Sequence, residues 1–143
     1  MLDAYRDLIE ELTGTPTALR QALDARGGQP PDVAVALIAE LRDRDRAVHD
    51  RLQTILRRRD PVLKPLPAPA ATAEADAEAV LAGFNAIRGE LVSLLMNLTL
   101  RDWERTAIAE TGDEIALADE VERHVEFDDD HRARILEVLR TED

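Results

Sequence analysis

Three charged side chains occupy positions where helical spacing calls for apolar residues. Asp45 falls inside the apolar stripe between Leu41 and Val48, Arg88 inside the stripe of a later segment, and Asp128 near the centre of a third. An isolated charge in a protein core is costly, so inward charges are expected to pair. The sequence therefore predicts a buried ion pair between Asp45 and Arg88, joined by Asp128. This network would fix the register of the helices, and a catalytic role for the same groups is compatible with it.

Two histidines beside Asp128 add metal-ligand chemistry to the same region. Asp128 and His131 are three residues apart, so they share one face of a helix. His124 and His131 are seven residues apart, roughly 10 Å along a helix axis, which is too far for both to chelate one ion. We interpret His124 as a core or boundary residue. The acidic run at 128–130 lacks the glycine turn of a calcium loop, and its last two residues are expected to face solvent.

Composition excludes several other kinds of chemistry. The chain has no cysteine, so it contains no disulfide, thiolate nucleophile or zinc–thiolate site. Ser93 is its only serine, which argues against a serine hydrolase. The net charge of −12 argues against a nucleic-acid partner, since phosphate binding needs clustered cations. Without a signal-peptide pattern or an apolar run of membrane length, we expect a cytoplasmic protein that does not bind a membrane.

Four helical segments, with no strand-like alternation, position these residues in a single domain spanning 1–143. The first helix is predicted over 2–25, with a break at 13–16 where Thr15 would cap a new start before Pro16. The second is predicted over 31–59. The third is predicted over 72–98, with Thr72 or an adjacent residue at its start, and the fourth over 114–140, with Asp113 as its cap.

The connection between the second and third helices is an extended linker with four prolines, Pro61, Pro65, Pro67 and Pro69. Its length fits a bundle with a crossover connection between helices. A short turn of helix is predicted over 102–109, where Trp103 can close one end of the bundle. The expected fold class is all-α, a four-helix bundle with a long Pro-rich linker between helices 2 and 3.

The segment 95–136 resembles the C-terminal half of the DinB-like (DinB/YfiT) superfamily of four-helix bundles. In that family a D-W-x-R turn and a glycine precede a long helix that contains H-D-x-x-H. Here the turn reads Asp102-Trp103-Glu104-Arg105 and the helix reads Phe127-Asp128-Asp129-Asp130-His131. The H-L-x-D-x-E pattern of the family's second helix corresponds to residues 40–45, and its inward arginine to Arg88. The resemblance implies a DinB-like bundle.

The resemblance also implies where a metal would bind, because three histidines hold a divalent ion in this family. Carried over position by position, the ligands would be Glu40, Phe127 and His131. Phenylalanine cannot coordinate, and two ligands fall short of the three that a catalytic zinc site normally has. We therefore predict a lost or altered metal site and no cofactor. The alternative is a carboxylate-rich site for zinc or nickel built from Glu40, Asp128 and His131, with Asp45 as a further candidate ligand.

The function that the resemblance implies is metal-dependent chemistry on thiols such as bacillithiol or mycothiol, which relatives transfer to electrophiles or isomerise as adducts. Because two of the three ligand positions are changed, we expect a non-enzymatic binding or stress-response module, active as a homodimer. The alternative is a divalent-metal-dependent, thiol S-transferase-like enzyme, which the retained His131 and the inward acids favour. The sequence identifies neither a catalytic residue nor a small-molecule ligand.

Overall fold

The computed structural model describes residues 2–68 and 76–141 of the chain. Within these residues the elements follow in the order α1 (Asp3–Arg26), α2 (Asp32–Arg57), α3 (Ala77–Met96), α4 (Leu100–Trp103), β1 (Thr106–Ile108), β2 (Glu114–Ala116) and α5 (Leu117–Thr141). The four long helices α1, α2, α3 and α5 form the bundle, and the all-α prediction is confirmed.

The helices of the bundle do not pack in the order of the chain. Both α1 and α2 pack against α3 and α5, so α1 and α2 lie diagonally across the bundle. Helices α2 and α3 are parallel neighbours, because the Arg42 side chain lies beside Gly83 and Asp45 reaches Arg88. The connection between them must therefore return along α2, which is about 39 Å long. This geometry explains why the linker is long.

The third helix begins later than the sequence indicated. Its N-cap is Asp76, whose carboxylate accepts hydrogen bonds from the backbone N–H groups of Glu78 and Ala79. These bonds satisfy donors that have no partner inside the helix. The predicted start at Thr72 lies outside the described residues.

The predicted break in the first helix is wrong, since α1 continues through Pro16 from Asp3 to Arg26. Proline has no N–H group, so a helical carbonyl four residues earlier, that of Leu12, loses its usual donor. Arg88 of α3 supplies the missing donor, with Nη1 2.8 Å from the Leu12 carbonyl oxygen. Thr15 is consequently not an N-cap but a buried residue inside the helix. A tertiary contact thus replaces the local hydrogen bond that proline removes.

The segment after Trp103 is a small hairpin rather than the predicted helical turn. Strands β1 and β2 pair antiparallel, with Ala107 opposite Ile115. Two backbone bonds also join Ile108 to the linker. The Ile108 N–H donates to the Pro61 carbonyl, and the Ile108 carbonyl accepts from the Leu63 N–H. The helical turn ends at Trp103 because these pairings take the backbone groups that follow.

The start of the last helix also differs from the prediction. Asp113 is not its N-cap, because its carbonyl accepts from the Ala109 N–H within the hairpin loop. Helix α5 begins at Leu117, and the side chain of Asp119 accepts a bond from the Ala116 N–H just before it.

The apolar core has two parts, one at each end of the bundle. The Trp103 cluster contains the fully buried Trp103 with apolar residues that include Leu12, Leu52, Leu91 and Val121. The Phe84 cluster contains Phe84 with residues that include Leu19, Leu41, Leu81 and Ile135. Trp103 stacks on Tyr5, with ring centroids 4.5 Å apart. The prediction that Trp103 closes one end of the bundle agrees with this burial.

Helix α3 is long and apolar enough, by length and composition alone, to cross a membrane. The expectation that no apolar run reaches the length of a membrane span is therefore wrong for this helix. In the bundle α3 packs against α1 and α2 and carries the buried Arg88.

Candidate functional site

A buried ion pair joins α2 to α3 at the middle of the bundle. Arg88 donates from Nε to Asp45 Oδ2 at 2.7 Å and from Nη2 to Asp45 Oδ1 at 3.0 Å. The same Nη2 donates to Asp128 Oδ1 of α5 at 2.7 Å. All three side chains are at least 98% buried. The structure thus brings together the three residues that helical spacing placed in the core.

Two further residues complete this arrangement and were not assigned to it from the sequence. Thr15 of α1 donates its hydroxyl to Asp128 Oδ2 at 2.6 Å. His124 Nε2 lies 2.7 Å from Asp45 Oδ1. Every long helix therefore contributes a buried polar side chain at the same height, between the Trp103 and Phe84 clusters. We call this set the polar layer: Thr15, Asp45, Arg88, His124 and Asp128.

Electrostatics keep the polar layer charged. Burial alone would raise the pKa of Asp45, but hydrogen bonds from His124 and Arg88, together with their charges, hold it below its usual value. Burial would likewise lower the pKa of Arg88, but its bonds to Asp45 and the negative charges of Asp45 and Asp128 raise it. The layer is thus a salt-bridged network in which Asp45 is held in its ionised form.

The hydroxyl of Thr15 provides a direct test of the layer. Thr15→Val keeps the side-chain shape but leaves Asp128 Oδ2 without its donor. A hydrogen bond to a charged group contributes about 1.5–3 kcal/mol, and we expect the free energy of unfolding to fall by that amount. Urea denaturation followed by circular dichroism measures it. Thr17→Val, at an exposed position of the same helix, is the matched control, and an equal loss in both variants would contradict the assignment.

The positions at which the family resemblance places metal ligands form a second group beside the layer. His131 Nε2 lies 3.2 Å from Glu40 Oε1. The Phe127 ring stacks on the His131 ring with centroids 4.1 Å apart. The guanidinium of Arg44 lies over the same Phe127 ring, 4.3 Å from its centroid. An aromatic ring therefore stacks on the histidine, and a cation lies over that ring.

The residues present do not fit a divalent metal. Glu40 and His131 are together, but the third predicted ligand, Asp128, has one oxygen bonded to Arg88 and the other to Thr15. Asp45 is likewise held by Arg88 and His124. Among residues 2–68 and 76–141, no group of three or more histidine, aspartate or glutamate side chains is arranged to hold an ion. The carboxylates that a metal would need already neutralise an arginine.

A second buried ion pair was missed from the sequence. Arg51 of α2 donates from Nη2 to both Glu120 of α5 and Glu110 of the hairpin loop, each at 2.9 Å. Its Nη1 donates to the Lys64 carbonyl of the linker at 2.7 Å. The same rule of helical spacing could have found Arg51, because it lies between Val48 and Ile55 on the apolar stripe.

Comparison with solved structures gives a likeness that covers almost the whole chain. No protein-family model matches the chain, and no curated protein matches it. The chain is similar to the solved structure of YfiT from Bacillus subtilis, with 22% sequence identity and a TM-score of 0.78 over 98% of this chain and 89% of that one. The chain has a DinB-like fold. YfiT is described as a probable metal-dependent hydrolase with an unusual four-helix bundle topology. The structural match covers 98% of this chain.

Proposed function

We propose that this DinB-like bundle is a non-enzymatic binding module in which the metal centre has been lost. The observation that carries the proposal is the position of Phe127, packed between His131 and the guanidinium of Arg44. A side chain without lone pairs stands where the resemblance places an imidazole ligand. Beside it stands a cation that is charged at every physiological pH.

Two features of charge support this proposal. Arg44 has no carboxylate partner among the described residues, so its positive charge acts on any cation that approaches His131. The interior carboxylates Asp45 and Asp128 are not available as ligands, because both are already paired with Arg88. A divalent ion would have to compete with an arginine for its ligands and accept another arginine as a neighbour.

One observation favours a second candidate function. Glu40 and His131 lie within hydrogen-bond distance of each other, and Glu40 is partly exposed. A carboxylate and an imidazole are both ligands of divalent metals. The second candidate is therefore a divalent-metal-dependent enzyme of the thiol S-transferase type that the resemblance implies.

Titration calorimetry with nickel on protein without a histidine tag separates the two functions. We expect no saturable binding by the unmodified protein. The double variant Glu40→His, Phe127→His restores three imidazoles and is expected to bind nickel at least about tenfold more tightly, a gain of about 1.4 kcal/mol or more. The control Glu40→Gln, Phe127→Leu alters the same positions without adding a ligand, and should not bind.

Circular dichroism checks that each variant remains folded. Stoichiometric nickel or zinc in the unmodified protein, lost on His131→Gln, would contradict the proposal. It would favour the metal-dependent enzyme over the binding module.

A further inference from the structure

A cavity of about 140 Å³ lies between α2, α5 and the linker, next to the Phe127 ring. Three arginines, Arg44, Arg51 and Arg123, contribute to its wall together with two glutamates. Its apolar surface comes from Val48, Leu66 and Phe127. We call it the arginine cavity. Its cationic lining is notable in a chain whose net charge is −12.

The charges around the arginine cavity do not balance. Glu110 and Glu120 both accept hydrogen bonds from Arg51 at 2.9 Å. Arg123 lies 3.9 Å from the same Glu120. Arg44 has no carboxylate partner among the described residues, and its contact is the Phe127 ring. Three arginines facing two glutamates leave one positive charge without a counter-ion.

Polar atoms of the lining also lack partners. Arg51 Nε and His124 Nδ1 are buried, and neither has a hydrogen-bond partner among residues 2–68 and 76–141. A buried donor without an acceptor costs free energy, so such groups in native proteins call for an explanation. Burial, and then the positive charge of Arg51, lower the pKa of Arg44. Its guanidinium still carries its charge, and the charge of Arg51 is the second cause of the shift.

We propose that the arginine cavity binds a small monocarboxylate with a compact apolar body, the carboxylate pairing with the Arg44 guanidinium and the body lying against Val48, Leu66 and Phe127. The inference rests on the proposed binding function and names its ligand class. A planar guanidinium matches a carboxylate through two parallel hydrogen bonds. One uncompensated positive charge matches a monoanion, and Glu110 and Glu120 would repel a second negative charge.

The size of the cavity limits the apolar body. An apolar cavity of about 150 Å³ accommodates benzene, so the arginine cavity is suited to an anion of similar bulk. Benzoate is therefore a suitable probe. Benzamide has nearly the same shape without the charge, and inorganic phosphate has charge without the apolar body.

The test is calorimetry of benzoate binding to the full chain and to three variants. We expect saturable binding of benzoate, with benzamide and phosphate at least about tenfold weaker. Arg44→Gln should weaken benzoate binding at least about tenfold, because it removes the unpaired cation. Glu110→Gln should strengthen it several-fold, because it removes a carboxylate that competes for Arg51. The control Arg46→Gln makes the same charge change at an exposed residue of α2 that pairs with Asp43, and should leave the affinity unchanged.

Several results would overturn the inference: no saturable benzoate binding by the folded protein, equal affinity for benzamide, tighter binding of phosphate, or equal losses in Arg44→Gln and Arg46→Gln. Thermal melts check that the variants fold, and partial retention in Arg44→Lys would support a charge requirement. The two proposals fail separately. If benzoate does not bind, the ligand proposal fails, and the nickel test of the non-enzymatic function is unaffected. If nickel binds through His131 and benzoate also binds, only the non-enzymatic function is contradicted.

Discussion

Replacing Arg88 by alanine is expected to lower the free energy of unfolding by about 3–5 kcal/mol, the range found when one partner of a buried ion pair is removed. Arg88 contacts both Asp45 and Asp128. Its loss takes a cation away from two core carboxylates and leaves them with His124 beside Asp45 and the Thr15 hydroxyl on Asp128. It also removes the donor to the Leu12 carbonyl, which receives no hydrogen bond from Pro16 because proline has no N–H group.

Urea denaturation followed by circular dichroism measures this effect. Arg134→Ala, at an exposed position of α5, is the control and should change stability by less than about 0.5 kcal/mol. Adding Asp45→Asn to Arg88→Ala should recover part of the loss, because it removes one stranded charge. A neutral Arg88→Ala, or a double variant less stable than the sum of its two single changes, would contradict the role of the polar layer.

Replacing Trp103 by alanine is the second change with a large expected effect, about 3–5 kcal/mol for a fully buried tryptophan. Trp103 is 0% exposed, and its ring stacks on Tyr5 with an interplanar angle of 7°. Its removal would leave a cavity where α1, α4 and the hairpin meet. The indole Nε1 has no hydrogen-bond partner in the part of the chain that the structure describes, so the stabilisation comes from packing.

The control for this second change is Trp103→Phe. It keeps an aromatic ring on Tyr5 and removes the unpartnered indole N–H, so it should cost less than half of what Trp103→Ala costs in the same urea titration. Equal losses in the two variants would show that packing by the ring is not the source of the stabilisation.

The charged members of the polar layer could be predicted because helical spacing shows which charged residues fall on an apolar stripe. Asp45, Arg88 and Asp128 were found in that way. Thr15 was not, since a threonine is tolerated on either face of a helix, and the proline after it suggested a break. Pro16 is accommodated only because a guanidinium from another helix reaches the carbonyl that it leaves free, a contact between residues 76 positions apart. Local pattern contains no sign of such a partner.

The hairpin was missed for a related reason. Its strands have three residues each, too few for alternation to be recognised, and β1 is also held by the linker. In the candidate site, the sequence indicated that Phe127 cannot be a ligand. The structure adds that its ring contacts His131 and Arg44. The position of Arg44 over that ring depends on how α2 and α5 are rotated against each other, which spacing along one helix does not determine.

The polar layer joins residues that are far apart in the chain, with separations of 43 positions for Asp45 and Arg88 and 113 for Thr15 and Asp128. The complete set of bonds forms only when all four long helices are in place, because Thr15 and Asp128 join α1 to α5, Asp45 and Arg88 join α2 to α3, and Arg88 and Asp128 join α3 to α5. Contacts that are absent from the transition state for folding act mainly on the rate of unfolding. The layer should therefore set how long the assembled bundle persists before it opens, more than how quickly the chain first reaches it.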